Sequence, residues 1–367
     1  MTGTTKELGN EQLVSEVIRA HSRSFSIAVK FLPREIRANV EKLYAWCRGC
    51  DDSVDLANTR EEAREALQEL FDDLDRIEQG LSPNQNASVW IRDLHFECGV
   101  EIEDARDLLK GMEMDLEDIR IRDEQHLLDY AYHVAGVVGV MMCRVMGVTD
   151  PAARGPAISL GIGMQLTNIA RDVLEDADRN RSYLPGISNP KTCDKSTLKR
   201  AVAEVLVLAD THYAKAQTGL KYLPITCRRS IAVAATLYRE IGLEIRRQDF
   251  DVLRGRIIVP KWRLIGCILF LSTSGFKQRL LNRVQIQDNT FINNKNLFHS
   301  LENQMKDARY LAYLGISLTA FMATALFLML YMNPKDASYT WLPLLYAGIS
   351  AVIAIVTNYF ARRQLVS

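Results

Sequence analysis

The amino-acid sequence predicts an all-α protein, in which a large helical domain precedes a pair of membrane-spanning helices. From about residue 11 to residue 276, apolar residues recur at spacings of three and four, and alternating stretches are few. Beyond this region, a polar stretch is followed by two long segments without charge. A chain of 367 residues can accommodate one large domain and an appendage.

The helical domain is predicted to cover residues 1–284, and Gly, Pro, Asn and Ser mark its internal breaks. Within it, the apolar run 136–142 is interpreted as a buried helix, because His133 and Arg144 bracket it too closely for a membrane span. Residues 285–307 are polar and rich in Asn, which is typical of a linker. The predicted breaks fall near Pro33 and in residues 80–86, 147–155 and 185–191.

Residues 308–367 are predicted to form a membrane hairpin. Residues 311–332 and 341–360 contain 22 and 20 residues without a charge, which is long enough for each to cross a bilayer. Basic residues flank the pair on its outer sides, so both ends are predicted to face the cytoplasm. We therefore expect a multi-pass membrane protein with its helical domain on the cytoplasmic side. The flanking residues are Lys306, Arg309, Arg362 and Arg363.

Composition excludes several functional classes. The 45 basic and 45 acidic residues balance, so no overall field favours nucleic acid as a partner. The seven cysteines are odd in number and scattered, which predicts thiols in a reducing compartment. Cys47 and Cys50 lack a second CxxC pair and are interpreted as packing residues. The N-terminal residues show no apolar stretch typical of a signal peptide.

Two acidic motifs carry the strongest chemical signal. Asp51 and Asp55 lie four residues apart, as do Asp172 and Asp176, so each pair shares a helix face. Like charges one turn apart destabilise a helix unless a cation compensates them. Magnesium suits such sites, because it takes oxygen ligands and completes its shell with water and phosphate. The alternative interpretation is that both motifs are solvated helix faces.

Neighbouring residues favour the metal interpretation. Tyr44 and Arg48 share the stripe of the first motif, and Gln165 and Asn168 share that of the second. Because the flanks of both helices are apolar, these polar stripes are predicted to face an enclosed, hydrated cavity. Asp52 falls off its stripe and is expected in solvent or behind the direct ligands.

Metal-bound diphosphate, an apolar bundle and a membrane anchor together suit chemistry on a long hydrocarbon diphosphate. Ionising an allylic diphosphate requires neutralisation of the leaving group and exclusion of water from the carbocation. The small residues Ala135, Gly136 and Gly139 would allow a ligand or a neighbouring helix to approach the backbone closely. The sequence does not decide between a ligand and a helix at this place.

Six blocks carry a family resemblance over roughly residues 15–275. They are HSRSFSIAVKFLP, YAWCRGCDDSVD, GMEMDL, YAYHVAGVVG, QLTNIARDVLEDADRNRSYLP, and YREIG followed by DVLRGR. With these blocks in this order, the chain resembles the phytoene and squalene synthase family of head-to-head prenyl transferases. The resemblance implies an isoprenoid synthase helical bundle that binds two or three magnesium ions, or manganese in their place. It also implies condensation of two prenyl diphosphates through a cyclopropylcarbinyl diphosphate.

The resemblance also implies roles for individual residues. Implied metal ligands are Asp51, Asp55, Asn168, Asp172 and Asp176, with Asp52, Asp115 and Glu175 as further candidates. Implied catalytic residues are Tyr44, Arg48, Tyr132, Arg171 and Tyr238. Implied substrate-binding residues are Ser22, Ser24, Phe25, Arg48, Gln165, Asn168, Tyr183 and Arg256. The terminal proton acceptor stays open between released diphosphate and a cavity tyrosine.

RSYLP and DVLRGR look more like phytoene synthases than squalene synthases. The expected reaction joins two geranylgeranyl diphosphates into 15-cis-phytoene with release of diphosphate, and NADPH is not expected. The expected partners are prenyl diphosphates, membrane lipid and downstream carotenoid enzymes. Because of the membrane anchor, a C30 squalene or dehydrosqualene synthase using farnesyl diphosphate stays a possible assignment. An inactive membrane scaffold of the pathway and a terpene cyclase are two more functions that the sequence allows.

Overall fold

The computed structural model describes residues 23–116, 120–260, 262–264 and 267, and this part of the chain is helical. Its only β pairing is an isolated bridge between Arg120 and Ser182. The α-helices are α1 (Arg23–Val29), α2 (Arg34–Asp55), α3 (Arg60–Glu78), α4 (Ser88–Cys98), α5 (Ile102–Leu116), α6 (Glu124–Ala131), α7 (Val137–Val145), α8 (Arg154–Arg171), α9 (Val173–Asp178), α10 (Lys195–Gln217) and α11 (Ile225–Arg247). A π-helix (Tyr132–Gly136) joins α6 to α7, and short 3-10 helices cover Pro151–Ala153, Thr218–Tyr222 and Val252–Arg254.

Local sequence signals set several helix starts. The Thr59 hydroxyl accepts a hydrogen bond from the Glu62 amide at 3.1 Å and caps α3. Asp123 caps α6 and Asp194 caps α10 in the same way. Each such cap contributes about 1 kcal/mol to stability, because it satisfies an amide that the helix leaves unpaired.

Helix α8 lies at the centre of the fold. It packs against α7, the π-helix, α10 and α11, and the chain buries two apolar clusters, of which the second includes residues of α8 itself. One cluster joins α2 to α5 and α7 and contains the fully buried Trp46. The other joins α6, α8, α10 and α11 and contains the fully buried Leu166. The predicted buried helix at 136–142 is confirmed, since Val137 and Met141 are wholly enclosed.

The small residues before and within α7 allow two helices to meet backbone to backbone. A Cβ atom added to Gly161 of α8 would lie 2.1 Å from the Ala135 carbonyl oxygen of the π-helix. A Cβ atom added to Gly139 would lie 2.3 Å from the Ala157 carbonyl oxygen. Both distances are far below van der Waals contact, so α8 can approach the π-helix and α7 this closely only because both positions are glycine.

The predicted loops at Pro33, 80–86 and 185–191 separate helices in the structure, whereas α8 already begins within the predicted break at 147–155. The predicted linker and both predicted membrane spans lie outside the described residues. Within the described part, no helix is long and apolar enough to cross a bilayer. Cys47 and Cys50 pack against the first apolar cluster, as expected.

Candidate active site

The two acidic motifs face each other across one cavity of about 210 Å³. Asp51 and Asp55 lie in the last turn of α2, and Asp172 and Asp176 lie at and after the end of α8. The prediction that these four carboxylates share a cavity is confirmed. The polar lining consists of Asp51, Asp55, Asp115, Tyr130, Gln165, Asn168, Asp172, Asp176, Arg181 and Tyr183.

The second motif does not lie on one continuous helix. Asp172 ends α8, with φ −99° and ψ 16°, and α9 begins at the next residue. The hydrogen-bond ladder nevertheless continues, because the Asp172 amide donates to Asn168 at 2.8 Å and the Asp176 amide to Asp172 at 2.9 Å. This continuity keeps Asn168, Asp172 and Asp176 on one side.

Asp115 lines the acidic cavity together with two tyrosines that donate to it. Tyr183 donates to its carboxylate at 2.7 Å and Tyr130 at 3.1 Å, and the two rings stack with centroids 4.8 Å apart. Burial raises the pKa of Asp115, and the charge of Arg181 and the two hydroxyl donors oppose this effect. Tyr130 was not predicted from the sequence, although it lies two residues before the candidate Tyr132.

Several arginines pair with the carboxylates of the acidic cavity, and Arg181 belongs to its lining. Arg181 lies 3.3 Å and Arg179 3.6 Å from Asp55. Arg171 holds Asp172 with two hydrogen bonds of 2.7 and 2.5 Å. Sequence reasoning missed Arg179 and Arg181, although both lie in the block that carries the second acidic motif. These side chains place positive charge where a diphosphate would lie.

Arg256 approaches from a third element, the segment that follows the last 3-10 helix. Its guanidinium lies 3.6 Å from Asp172 and 3.4 Å from Glu175. Glu175 thus faces Arg256 and does not line the acidic cavity.

Negative charge remains in surplus at the cavity despite these arginines. The pKa of Asp51 is raised to about 7, first by burial and then by neighbouring carboxylates, although Arg48 opposes the rise. The pKa of Asp176 is also raised to about 7, by burial and then by the charge of Asp172. Carboxylates that resist ionisation at neutral pH would gain most from a bound cation.

The donor set fits a hard cation. The Asn168 side-chain oxygen is buried without a hydrogen-bond partner in the described structure, and Asn168 lines the cavity beside the carboxylates. Carboxylate and amide oxygens are preferred ligands of magnesium. No three His, Cys, Asp or Glu side chains in the described chain lie close enough to hold a metal by themselves. The site therefore suits ions that complete their coordination with water and substrate phosphate.

A second cavity, of about 1440 Å³, adjoins the acidic one. The two share Asp51, Val134, Gln165 and Asn168 in their linings. Apart from its polar end, the large cavity is walled by apolar side chains from α1, α2, the π-helix, α7, α8 and α11. The volume exceeds the roughly 300–1,000 Å³ of common ligand pockets, so it suits a large apolar ligand.

The large cavity runs lengthwise along α8. Its α8 lining begins beside the carboxylates, at Asn168 and Arg171, and continues at helical spacing back to Pro156. Twelve residues separate Asn168 from Pro156, which corresponds to about 18 Å along the helix axis. A matching stripe runs from Val134 to Met146 on the π-helix and α7. The cavity thus has a charged end and a long apolar end.

The predicted residues divide between the two cavities. Tyr44, Arg171, Tyr238 and Arg256 line the large one, where Asp51, Gln165 and Asn168 also take part. Arg48, Asp52 and Tyr132 line neither.

These three residues have other partners. Arg48 forms an ion pair with Asp52, and Tyr132 donates to Asp107 of α5 at 3.0 Å. The expectations that Arg48 and Tyr132 face the cavity are therefore corrected. Ser22 and the side chains of Ser24 and Phe25 lie outside the described residues.

Comparison with known proteins agrees with this geometry. Residues 18–263 match the squalene/phytoene synthase family. A 15-cis-phytoene synthase of Paracoccus sp. is 38% identical over 269 residues, which cover 69% of this chain and 88% of the relative. A phytoene synthase of Pseudescherichia vulneris is 35% identical over 243 residues, which cover 61% and 79%.

Solved structures show the same fold. The crystal structure of a dehydrosqualene synthase in complex with a ligand has a TM-score of 0.66 at 24% identity, and the match covers 75% of this chain and 99% of that chain. A squalene synthase of Alicyclobacillus acidocaldarius has a TM-score of 0.59 at 21% identity, covering 66% and 95%. The helical bundle is thus that of the isoprenoid synthases, and the chain belongs to the squalene/phytoene synthase family.

Proposed function

We propose that the protein condenses two geranylgeranyl diphosphates head to head into 15-cis-phytoene and releases diphosphate. Its relatives support this activity, since bacterial sequences at 33–38% identity carry the names phytoene synthase or 15-cis-phytoene synthase. The geometry supports it independently, because a cavity with a charged end adjoins a long apolar one.

The length of the apolar cavity is the observation that favours C20 substrates. A geranylgeranyl tail has sixteen main-chain carbons joined by fifteen bonds, and it extends to roughly 18 Å at about 1.2 Å per bond along an extended chain. A farnesyl tail has twelve main-chain carbons joined by eleven bonds, and it extends to roughly 13 Å. The α8 lining of about 18 Å matches the longer tail and would leave the far end empty around the shorter one.

Three groups of residues contribute to ionisation of the substrates. Asp51, Asp55, Asn168, Asp172 and Asp176 would hold magnesium, which when bound neutralises charge on a departing diphosphate. Arg171, Arg181 and Arg256 bind and orient the diphosphate groups. The apolar walls hold both tails and exclude water from the allylic carbocation.

Carbon–carbon bond formation follows in the large cavity. The first cation attacks the double bond of the second substrate, and loss of a proton closes a cyclopropane. Departure of the second diphosphate starts the rearrangement, and loss of a second proton gives the hydrocarbon.

Burial is the main cause that raises the pKa of Tyr44 to about 12. This phenol therefore stays neutral and suits stabilisation of a cation better than proton removal. The released diphosphate is the stronger base at this end of the cavity, and we assign the proton to it.

We also propose that residues 311–332 and 341–360 anchor the protein in a membrane with the helical domain on the cytoplasmic side. Apolar substrates, an apolar product and downstream carotenoid enzymes would share that membrane. Extraction with alkaline carbonate tests the anchor, and protease protection of intact vesicles tests the orientation. Release of the protein by carbonate would refute the anchor.

The activity test uses purified full-length protein in detergent with geranylgeranyl or farnesyl diphosphate, with and without magnesium and NADPH. We expect magnesium-dependent phytoene from the C20 substrate without NADPH, identified by mass. A C30 hydrocarbon as the preferred product would replace the C20 assignment by a squalene or dehydrosqualene synthase. A product containing one prenyl unit would indicate a terpene cyclase, and no diphosphate release from either substrate would indicate a scaffold.

A further inference from the structure

One wall of the large cavity is built from irregular chain. Residues 255–260, here called the wall segment, contribute Arg256, Ile257, Ile258, Val259 and Pro260 to the lining. Ile257 and Val259 are buried, whereas Ile258 is 66% exposed, so the segment separates the cavity from solvent. No backbone hydrogen bond joins residues 255–260 to another element in the described structure. Side chains must therefore hold this wall in place.

Two arginines hold the wall segment at its ends. Arg256 reaches the acidic motif at the first end, through Asp172 and Glu175. At the other end, Arg263 forms an ion pair with Glu244 of α11, and its guanidinium lies 4.8 Å from the centre of the Trp262 ring. The turn between them is tight, because the Arg263 amide donates to the Pro260 carbonyl at 3.0 Å. The position of Arg263 thus determines that of Pro260.

Glu244 is a buried carboxylate with several partners besides Arg263. It is 8% exposed, and it follows Ile241 by one turn on the α11 face whose residues Ala234, Tyr238 and Ile241 line the cavity. It also accepts from Arg247 at 3.0 Å and from Gln248 at 3.3 Å. The buried carboxylate therefore keeps partners even when Arg263 is removed, so this ion pair can be broken without leaving a bare charge.

We propose that the Glu244–Arg263 ion pair latches the wall segment onto α11, which makes both residues positioning residues for Arg256 and for the apolar wall. The latch rests in part on the proposed function, because a closed wall matters most for chemistry that water would intercept. When the wall opens, the oxygen of a water molecule adds to the carbocation carbon. Loss of a proton to the released diphosphate then gives a prenyl alcohol in place of the hydrocarbon.

The test compares two full-length variants that each remove one arginine from α11's ion pairs. R263Q breaks the latch and leaves Glu244 with Arg247. R246Q is the matched control, because Arg246 and Arg263 are both 20% exposed and Asp210 keeps Arg239 at 3.0 Å after the change. A third variant, R263K, retains the positive charge at this position and should therefore hold the wall segment in place better than R263Q does.

The first measurement is limited proteolysis by proteinase K without substrate, with cleavage sites identified by mass spectrometry, because the amides of residues 255–260 donate no backbone hydrogen bond in the described structure whose loss amide exchange could report. We expect cleavage within residues 255–260 to be at least tenfold faster in R263Q, while α8 stays uncut, and to be as slow in R246Q as in the wild type. A tenfold change corresponds to about 1.4 kcal/mol of local opening free energy. Equal cleavage rates of residues 255–260 in R263Q and the wild type would overturn the latch, whether or not the protein is a phytoene synthase.

The second measurement is the amount of prenyl alcohol formed, expressed as a fraction of the amount of diphosphate released. We expect this fraction to rise at least threefold in R263Q, with an intermediate value for R263K and no rise for R246Q. An unchanged fraction in an active R263Q enzyme would refute the role in water exclusion and leave the proposed function standing. Wild-type protein that releases no diphosphate would refute the proposed function, and the cleavage rates alone would then decide the latch.

Discussion

Filling the far end of the large cavity should convert C20 preference into C15 preference. Ala216 lies in the last turn of α10 and lines the cavity at the end away from the carboxylates. Gly219, three residues later, also lines it and packs against Pro156, which marks that end. A phenylalanine at position 216 would occupy the space for the last isoprene unit.

The expected loss of activity with the C20 substrate follows from the number of carbons that the new side chain excludes from the cavity. An isoprene unit has five carbons, and burial of each contributes about 0.8 kcal/mol, so exclusion of the whole unit costs about 4 kcal/mol. Because 1.4 kcal/mol is a factor of ten, A216F should lower kcat/KM for geranylgeranyl diphosphate by up to about three orders of magnitude. Farnesyl diphosphate ends short of this position and should be turned over as before.

The assay is diphosphate release with each substrate, with product identification by mass. A214F is the matched control, because Ala214 lies on the exposed face of the same helix and the substitution is identical. If A216F retained wild-type kcat/KM for the C20 substrate, or lost both substrates equally while A214F lost neither, the tail would not reach Ala216.

Further predictions concern the acidic cavity and the scaffold. D51N and D172N should nearly abolish turnover with an unchanged helical circular dichroism spectrum, because both carboxylates line the proposed metal site; near-wild-type activity would contradict the assignment. The pKa values of Asp51 and Asp176, about 7, lie above the unfolded value near 4, so their contribution to stability falls as the pH rises from about 4 to about 7. Magnesium should therefore raise the Tm more at pH 8 than at pH 6. A larger rise at pH 6 would refute the surplus of negative charge at the acidic cavity. T59A removes the cap of α3 and should cost about 1 kcal/mol in chemical denaturation with activity retained, whereas an unchanged midpoint would show that the cap is dispensable.

Helical periodicity was enough to place the carboxylates. Spacing of three and four put Asp51 and Asp55 on one stripe and Asn168, Asp172 and Asp176 on the other, and both stripes face the same cavity. The stripe of the second motif stays on one side of the chain although α8 ends at Asp172, because backbone hydrogen bonds continue through this residue. Local sequence was therefore sufficient for these carboxylates, but not for Arg48, which shares the stripe of Asp51 and Asp55 and pairs with Asp52 outside the cavity.

Local sequence failed where side-chain direction depended on another element. Tyr132 was implied by the family resemblance; it begins the π-helix, and its hydroxyl donates to Asp107 of α5. Arg181 and Tyr130 reach the cavity from segments that only the tertiary fold brings beside α2. The Glu244–Arg263 pair joins residues whose sequence pattern gave no sign of contact.

The backbone contacts at Gly139 and Gly161 make the width of the cavity independent of its length, so that substitutions can change the length alone. Cavity length depends on side chains such as Ala216, which single substitutions can enlarge or shrink. Cavity width on the α8 side depends on two positions where any side chain would collide with a carbonyl. Divergence within such a scaffold can therefore lengthen or shorten the hydrocarbon in small steps, while the cross-section of the chains it accepts stays fixed.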